Sequence, residues 1–460
     1  MVDLVPSLEH LHELSQLQQP VYEDLDEARQ VVSQLRHFPP LVFVAESDNL
    51  RDRIACAARG EAFILMGGDC AETFAMVRAD NIMAKLRVLL SMSVVMTYAA
   101  QVPVVKIGRI AGQYAKPRSK NFETRGEITL PAYRGDAVNG FEFTAQARRH
   151  DPQRLIRAYN ASAATLNLVR AFVSGGFADL HHVHAWNSSF VKDDHVEKKY
   201  EQMAAEIDRA LGFMDACGVD DVTMNTVKVF AAHEALLLDY EHALTRVDSR
   251  TGNPYATSGH MVWIGERNRS PQGAQVELLR HVHNPLGVKI GPSATTHEIL
   301  EVCERLDPDR QPGRLSLITR MGAGQVREKL PPIIEAVSKT GRLVAWICDP
   351  MHGNTFESAN GYKTRRYDDV VAEINGFFDV HKQMGTWPGG VHLEQTGQDV
   401  TECVGGAFQL SEKDLVSRYQ TACDPRLNRN QSLEIAFMIA TRLNEFRHKK
   451  RPSTLLDWQL

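Results

Sequence analysis

Eight short apolar runs, separated mostly by helical patterns, constrain the fold of this 460-residue chain more than any other feature. They fall at residues 63–66, 104–107, 227–232, 261–264, 286–290, 315–318, 343–347 and 391–393. Each has the length of a strand buried on both faces, and strands that alternate with helices pair in parallel through crossovers. Eight of them predict an α/β fold, a closed (β/α)8 TIM barrel. A ninth apolar stretch, "DLHHVHAW" from Asp179, falls in the long gap between the second and third runs and is assigned to an inserted excursion.

A barrel of typical size takes about 250 residues, which leaves roughly 200 to place. The reading gives an N-terminal extension over 1–60, mostly helical, and a catalytic barrel over 61–446. Extra helices are inserted between strands 2 and 3, over about 120–225, and a basic tail "RHKKR" opens the segment 447–460. Helix starts are signalled in two places. Asp151 and Pro152 stand as N-cap and first helical residue of "HDPQRLIRAYNASAATLNLV", and Ser270 and Pro271 hold the same places in "RSPQGAQVELLRHV". A further helix over 197–217 carries the apolar stripe Met203, Ile207, Leu211 and Met214, which needs a partner surface.

Net charge is −5, so no global basic field draws nucleic acid or anionic lipid. The start, "MVDLVPSLEHLHEL", has no basic segment ahead of an apolar one and does not read as a secretory signal. The segment from Val88, "VLLSMSVVMTYAAQVPVV", reads as too polar and too interrupted for a bilayer span, and predicts a buried helix ending near Ala100 followed by a strand. Seven cysteines at irregular spacing form no disulfide framework. The expectation is a cytoplasmic protein with neither nucleic acid nor membrane as partner.

The residues that follow the runs carry the chemistry. "FILMGGDC" ends at Cys70, "VVKIGR" at Arg109, "MVWIGER" at Glu266 and Arg267, and "LSLITR" at Arg320. "PLGVKIG" contains Lys289, "LVAWICDPMH" leads to His352, and "GGVHLEQT" carries Glu394. In a barrel these positions converge on one mouth. There, Arg and Lys from three strands make an anion clamp, and Cys, His and Glu make a metal site. Thiolate, imidazole and carboxylate together suit Mn, Co, Fe or Zn better than Mg or Ca. "TACDPRLN" offers Asp424 as a fourth ligand. His181, His182 and His184 are a rival metal site, weakened because alternation puts His181 on the opposite face from the other two. "GRIAGQYAKPRS" lacks the ending of a phosphate loop, but Lys116, Arg118 and Ser119 on a proline-stiffened loop suit a second phosphate.

With these motifs in order, "GGDCAETF", "RIAGQYAKPRS", "YRGDAVNGF", "VWIGERNR", "GVKIGP", "LITRMGAG", "CDPMHGNT" and "VTECVGGA", the chain closely resembles the type II family of 3-deoxy-D-arabino-heptulosonate 7-phosphate (DAHP) synthases, from about residue 55 to about 445. The resemblance implies Cys70, His352, Glu394 and Asp424 as ligands of a divalent metal. It implies Arg109, Lys289 and Arg320, with Glu266 and Arg267, for phosphoenolpyruvate, and Lys116, Arg118 and Ser119 for erythrose 4-phosphate. It implies Cys70, His352 and Lys116 as the catalytic centre. The implied reaction joins C3 of phosphoenolpyruvate to the aldehyde of erythrose 4-phosphate, adds water at C2 and releases phosphate by C–O cleavage, opening the shikimate pathway. Two alternatives keep the fold: an amino-sugar phosphate as second substrate, and a catalytically silent regulatory barrel, which the filled metal and phosphate positions disfavour. The retained excursion implies a homo-oligomer, dimer or tetramer, inhibited by Trp, Phe or Tyr. Cys423, beside Asp424, raises the expectation of a reversible disulfide with Cys70 that blocks the metal.

Overall fold

All eight runs become strands of one closed parallel barrel in the computed structural model, which describes residues 4–174 and 228–447. We number them β1 (Phe63–Gly68), β2 (Val104–Arg109), β3 (Val229–Glu234), β4 (Met261–Ile264), β5 (Leu286–Ile290), β6 (Leu315–Thr319), β7 (Ala345–Cys348) and β8 (Gly390–Glu394). Each strand pairs with its neighbour in the chain, and β1 closes on β8 through Ile64 opposite Gly390 to Gly68 opposite Glu394. The expected (β/α)8 architecture is therefore the observed one.

Successive side chains on a strand point to opposite faces, so each strand carries an inner and an outer row. Ile64, Met66, Val105, Ile107, Phe230, Ala232, Met261, Trp263, Ile318, Ala345 and Ile347 pack together in one buried cluster, the interior of the barrel. Leu50, Ile54 and Ala57 join that cluster from the helix Val44–Ala58, which closes the floor. Continuing the two-residue step upward along each strand reaches Cys70, Arg109, Arg320, Asp349 and Glu394. The charged mouth is thus the top layer of the same rows whose lower layers form the apolar core.

The outer rows pack against helices. The segment from Val88 is, as expected, the second half of a helix that ends near Ala100; the whole helix, Ala79–Ala100, is by length and composition alone apolar enough to cross a bilayer. Its apolarity has another cause, because Val88, Leu89, Met92, Val95 and Met96 are buried between the barrel and the helix Arg429–Arg447. It ends at Ala100, with Gln101 in the left-handed conformation.

Gln153–Ser174 starts where the sequence places it, with the Gln153 amide donating to Asp151 Oδ1 at 2.9 Å. The second expected start is corrected. Ser270 and Pro271 form a turn closed by Gly273 N to Ser270 O at 2.8 Å, and the helix runs over Ala274–Arg280. The reason is tertiary, since Gly273 bridges to Ser15 and the Ala274 amide donates to the Ser15 carbonyl, which holds this stretch extended. Three small hairpins, Thr245–Val247 with Pro254–Ala256, Thr355–Glu357 with Lys363–Arg365, and Phe122–Arg125 with Ile128–Pro131, carried no sequence expectation. The rest of the excursion, including His181, His182, His184 and the stripe over 197–217, lies outside the described residues, as does the tail from residue 448.

Candidate active site at the barrel mouth

Cys70 just beyond β1, Glu394 at the end of β8 and Asp424 ahead of the helix Arg429–Arg447 come together. Their ligand atoms all lie within 4.8 Å of one another. The Asp424 amide donates to the Cys70 sulfur at 3.2 Å. His352 reaches the same place, with Nε2 2.9 Å from Glu394 Oε1. The Lys116 ammonium stands among them, 3.0 Å from Glu394 Oε1, 3.0 Å from Asp424 Oδ2 and 3.2 Å from His352 Nε2.

The electrostatics follow from burial and pairing. Burial raises the Asp424 and Glu394 carboxyls, but the cations around them outweigh it, so both are held below the usual carboxylate range. Burial is the first cause that keeps the Cys70 thiol protonated well above its ordinary value, reinforced by Cys423 and Glu394. Burial also opposes the charge on Lys116, but Cys70, Glu394 and Asp424 override it and hold the ammonium firmly protonated.

The orientation of His352 is fixed from behind. Asp349 Oδ2 lies 2.7 Å from Nδ1 and holds the ring from that side, so that Nε2 faces the cluster. The same carboxylate oxygen accepts from Lys289 at 2.6 Å, and Lys289 Nζ is 3.3 Å from His352 Nδ1. Arg320 donates to the His352 carbonyl at 2.6 Å.

Arg109 completes the cationic wall. It donates to the carbonyls of Asp69 at 2.8 Å and Cys70 at 2.9 Å, and to Glu394 Oε1 at 3.2 Å. Its Nη1 lies 2.5 Å from His392 Nε2. Burial holds His392 neutral, well below its ordinary pKa, so Nε2 is the acceptor and Nδ1 carries the proton. Arg109 and Lys289 both lean on the Trp263 ring, at 5.1 and 5.8 Å from its centre.

Glu266 is raised by burial and accepts from the Gly291 amide at 2.6 Å. Gly291 is required by close approach, because a Cβ there would stand 2.9 Å from Arg320 Nη1 and 3.1 Å from the Glu266 carboxyl. Arg267 and Ser119 are exposed and meet at 2.8 Å, which joins the two groups of expected phosphate-binding residues. Arg118 is half-buried, and its amide donates to Gln18 Oε1 of the N-terminal extension at 2.8 Å.

Sequence reasoning missed the arginines that strap the carboxylates in place. Arg365, from the hairpin after β7, donates to Glu394 Oε2 at 2.7 Å and also to the Pro425 carbonyl. Arg426 donates to Asp69 Oδ1 at 2.6 Å and grips Glu402 at 2.7 and 3.0 Å, while Lys85 pairs with Asp69 from the other side. Asp69 precedes Cys70 and Arg426 follows Asp424 by two, so this buried ion chain ties two of the converging segments. Arg426 had a signal in its place within "CDPR"; Arg365 had none, since it follows no strand end.

The donor set fits a divalent cation. Two carboxylates are held ionised, the histidine is turned with Nε2 toward them, and the thiol is one that a metal deprotonates on binding. A closed barrel that gathers a thiol, an imidazole, two carboxylates and four cations, Lys116, Lys289, Arg320 and Arg109, at its C-terminal mouth defines a (β/α)8 enzyme acting on anionic substrates. The sequence profile of the class-II DAHP synthetase family matches residues 6–440. The chain is 60% identical over 428 residues to a phospho-2-dehydro-3-deoxyheptonate aldolase of Streptomyces coelicolor, covering 93% of this chain and 95% of that one. It is 51% identical over 434 residues to the enzyme of that name from Mycolicibacterium smegmatis, covering 93% of each. A solved DAHP synthase structure from Thermotoga maritima is similar at 13% identity over 85% of this chain and 70% of that one, with a TM-score of 0.33. The chain belongs to the class-II DAHP synthetase family.

Proposed function

We propose that the protein condenses phosphoenolpyruvate with erythrose 4-phosphate and water to give DAHP and phosphate, with Cys70, His352, Glu394 and Asp424 holding a divalent cation, Mn or Co in preference to Zn or Fe. The observation that carries the reading is the double attachment of His352: its Nε2 faces Glu394 at 2.9 Å while its carbonyl is held by Arg320 at 2.6 Å. One residue thereby adjoins both the donor cluster and the cation wall.

A bound divalent cation supplies Lewis acidity toward the aldehyde oxygen. The chain does the rest. Arg109, Lys289 and Arg320, with Glu266 and Arg267, take the phosphate and carboxylate of phosphoenolpyruvate and lower the cost of bringing two polyanions together. Arg118 and Ser119 hold the phosphate of the sugar, and the Ser119–Arg267 contact sets the two sites side by side, so that C3 of phosphoenolpyruvate meets the aldehyde carbon. The Lys116 ammonium, kept protonated against burial by Cys70, Glu394 and Asp424, holds a proton for the oxygen that becomes the new hydroxyl. The protein works as a homo-oligomer, dimer or tetramer, in the cytoplasm, a compartment consistent with the free thiols of the six described cysteines. Aromatic amino acids inhibit it at sites away from the mouth.

The test follows phosphate release by the purified protein with phosphoenolpyruvate and either erythrose 4-phosphate or its amino-sugar analogue. We expect turnover with the former, loss after chelation and recovery with Mn or Co. Turnover with the amino analogue alone, or full activity after chelation, would overturn the assignment. Calorimetry with Trp, Phe and Tyr, singly and in pairs, tests the inhibition, and no heat with any of them removes it.

A further inference from the structure

The loop after β6 carries Arg320 and the loop after β7 carries His352, and both are held from outside the site by one side chain, Glu373. This residue lies on the helix Tyr367–Met384 and is wholly buried. Its Oε1 accepts from the Gly322 amide at 2.9 Å and its Oε2 from Asn354 Nδ2 at 2.7 Å. Gly322 is two residues past Arg320, and Asn354 is two residues past His352.

The bridge is continued by Asn354, whose Oδ1 accepts from the Ala323 amide at 3.0 Å and whose Nδ2 also donates to the Pro350 carbonyl at 2.8 Å. The loops touch directly as well: a Cβ on Gly353 would stand 2.5 Å from the Gly322 nitrogen, and Gly322 takes a φ of +87°, which favours glycine. A buried carboxyl whose partners are a backbone amide and a side-chain amide, and not a cation, is costly unless both oxygens are satisfied. Here each oxygen is satisfied by a different loop, so neither loop moves without leaving one oxygen unpaired.

We infer that Glu373 is a positioning residue that couples phosphoenolpyruvate binding at Arg320 to metal binding at His352. The inference rests on the roles proposed above for Arg320 and His352. A substrate that fixes the first loop fixes the second through Glu373, and the metal does the reverse, since coupling between two sites is reciprocal.

Titration calorimetry of the purified full chain with Mn2+, with and without saturating phosphoenolpyruvate, tests this. In the wild-type protein phosphoenolpyruvate tightens Mn2+ binding by a measurable factor. Under conditions where Glu373 is ionised, that factor falls at least threefold toward one in Glu373→Gln, because an amide group cannot accept from both loops. An unchanged factor overturns the inference even where both affinities fall, since a purely structural loss weakens both and leaves their ratio alone. If Glu373→Gln does not fold, Asn354→Ala, which removes the same bridge from its other end, takes its place under the same criterion. Wild-type protein that binds Mn2+ with a factor of one sinks the coupling alone, whereas wild-type protein that binds no Mn2+ sinks the site assignment beneath it.

Discussion

Asp349 and His352 form a pair in which the carboxylate aims the imidazole: Asp349 Oδ2 lies 2.7 Å from Nδ1, three residues along a single turn. Burial alone would raise the Asp349 carboxyl, but His352 and Lys289 hold it well below its ordinary value. The "CDPMH" cluster therefore supplies the proposed ligand His352 together with the group that orients it.

Asp349→Asn removes the charge and one of the two acceptor oxygens while keeping the shape. Partners of this kind behind a metal ligand are typically worth about 10- to 100-fold in metal affinity. We expect a loss of that order for Mn2+ by calorimetry, with the fold intact by circular dichroism. Affinity within twofold of wild type would refute it.

Stability should carry a pH signature from Glu373. Burial, with a smaller push from the Asp349 charge, raises its carboxyl from 4.5 to about 8. The folded state therefore binds the proton more tightly than the unfolded state does. Its contribution is fully present below the unfolded value and is lost as pH rises through the folded one. Between these values the stability of wild type relative to Glu373→Gln should fall by up to about 1.4 kcal/mol per pH unit, then level off. Urea unfolding of both proteins across that range checks this, and parallel curves would contradict it.

Gly291→Ala places a methyl group 2.9 Å from the Arg320 guanidinium and 3.1 Å from the Glu266 carboxyl. Both are ends of long side chains that can yield, so the fold should survive. We expect KM for phosphoenolpyruvate to rise about three- to tenfold, or ~1 kcal/mol, with kcat changed less. Steady-state kinetics decide the point, and an unaltered KM would mean that Arg320 does not bear on that substrate.

Cys423 and Cys70 are both free, and the hydrogen bond from Cys70 lowers the Cys423 thiol. With metal chelated, diamide, which takes up the two electrons and two protons of the thiols, should join them and abolish metal binding until dithiothreitol is added. Bound Mn2+ should protect. Cys423→Ser should resist inactivation; if it is inactivated at the wild-type rate, the pairing is wrong.

The barrel was readable because its strands are buried on both faces and so stand out as unbroken apolar runs, and because the residue ending a run such as Arg109 or Arg320 has one place to go. Lys116 is read from its proline-stiffened loop beyond Arg109 and Asp424 from "TACDPRLN", as no periodicity brings either to the mouth. Arg365 and Lys85 were invisible for a related reason: one lies on a hairpin and the other on a helix, and only the closed fold turns them toward Glu394 and Asp69. The start of Ala274–Arg280 was misplaced because the contact that delays it comes from Ser15, more than two hundred residues earlier in the chain.

The helix Val44–Ala58, packed into the barrel floor through Leu50 and Ile54, leaves the shaft blind at one end. Traffic is therefore one-way in and the same way out. On the proposed assignment, phosphate and the seven-carbon product leave past Arg109, Lys289 and Arg320 before the next phosphoenolpyruvate settles, so that departing phosphate and incoming substrate contend for the same doorway.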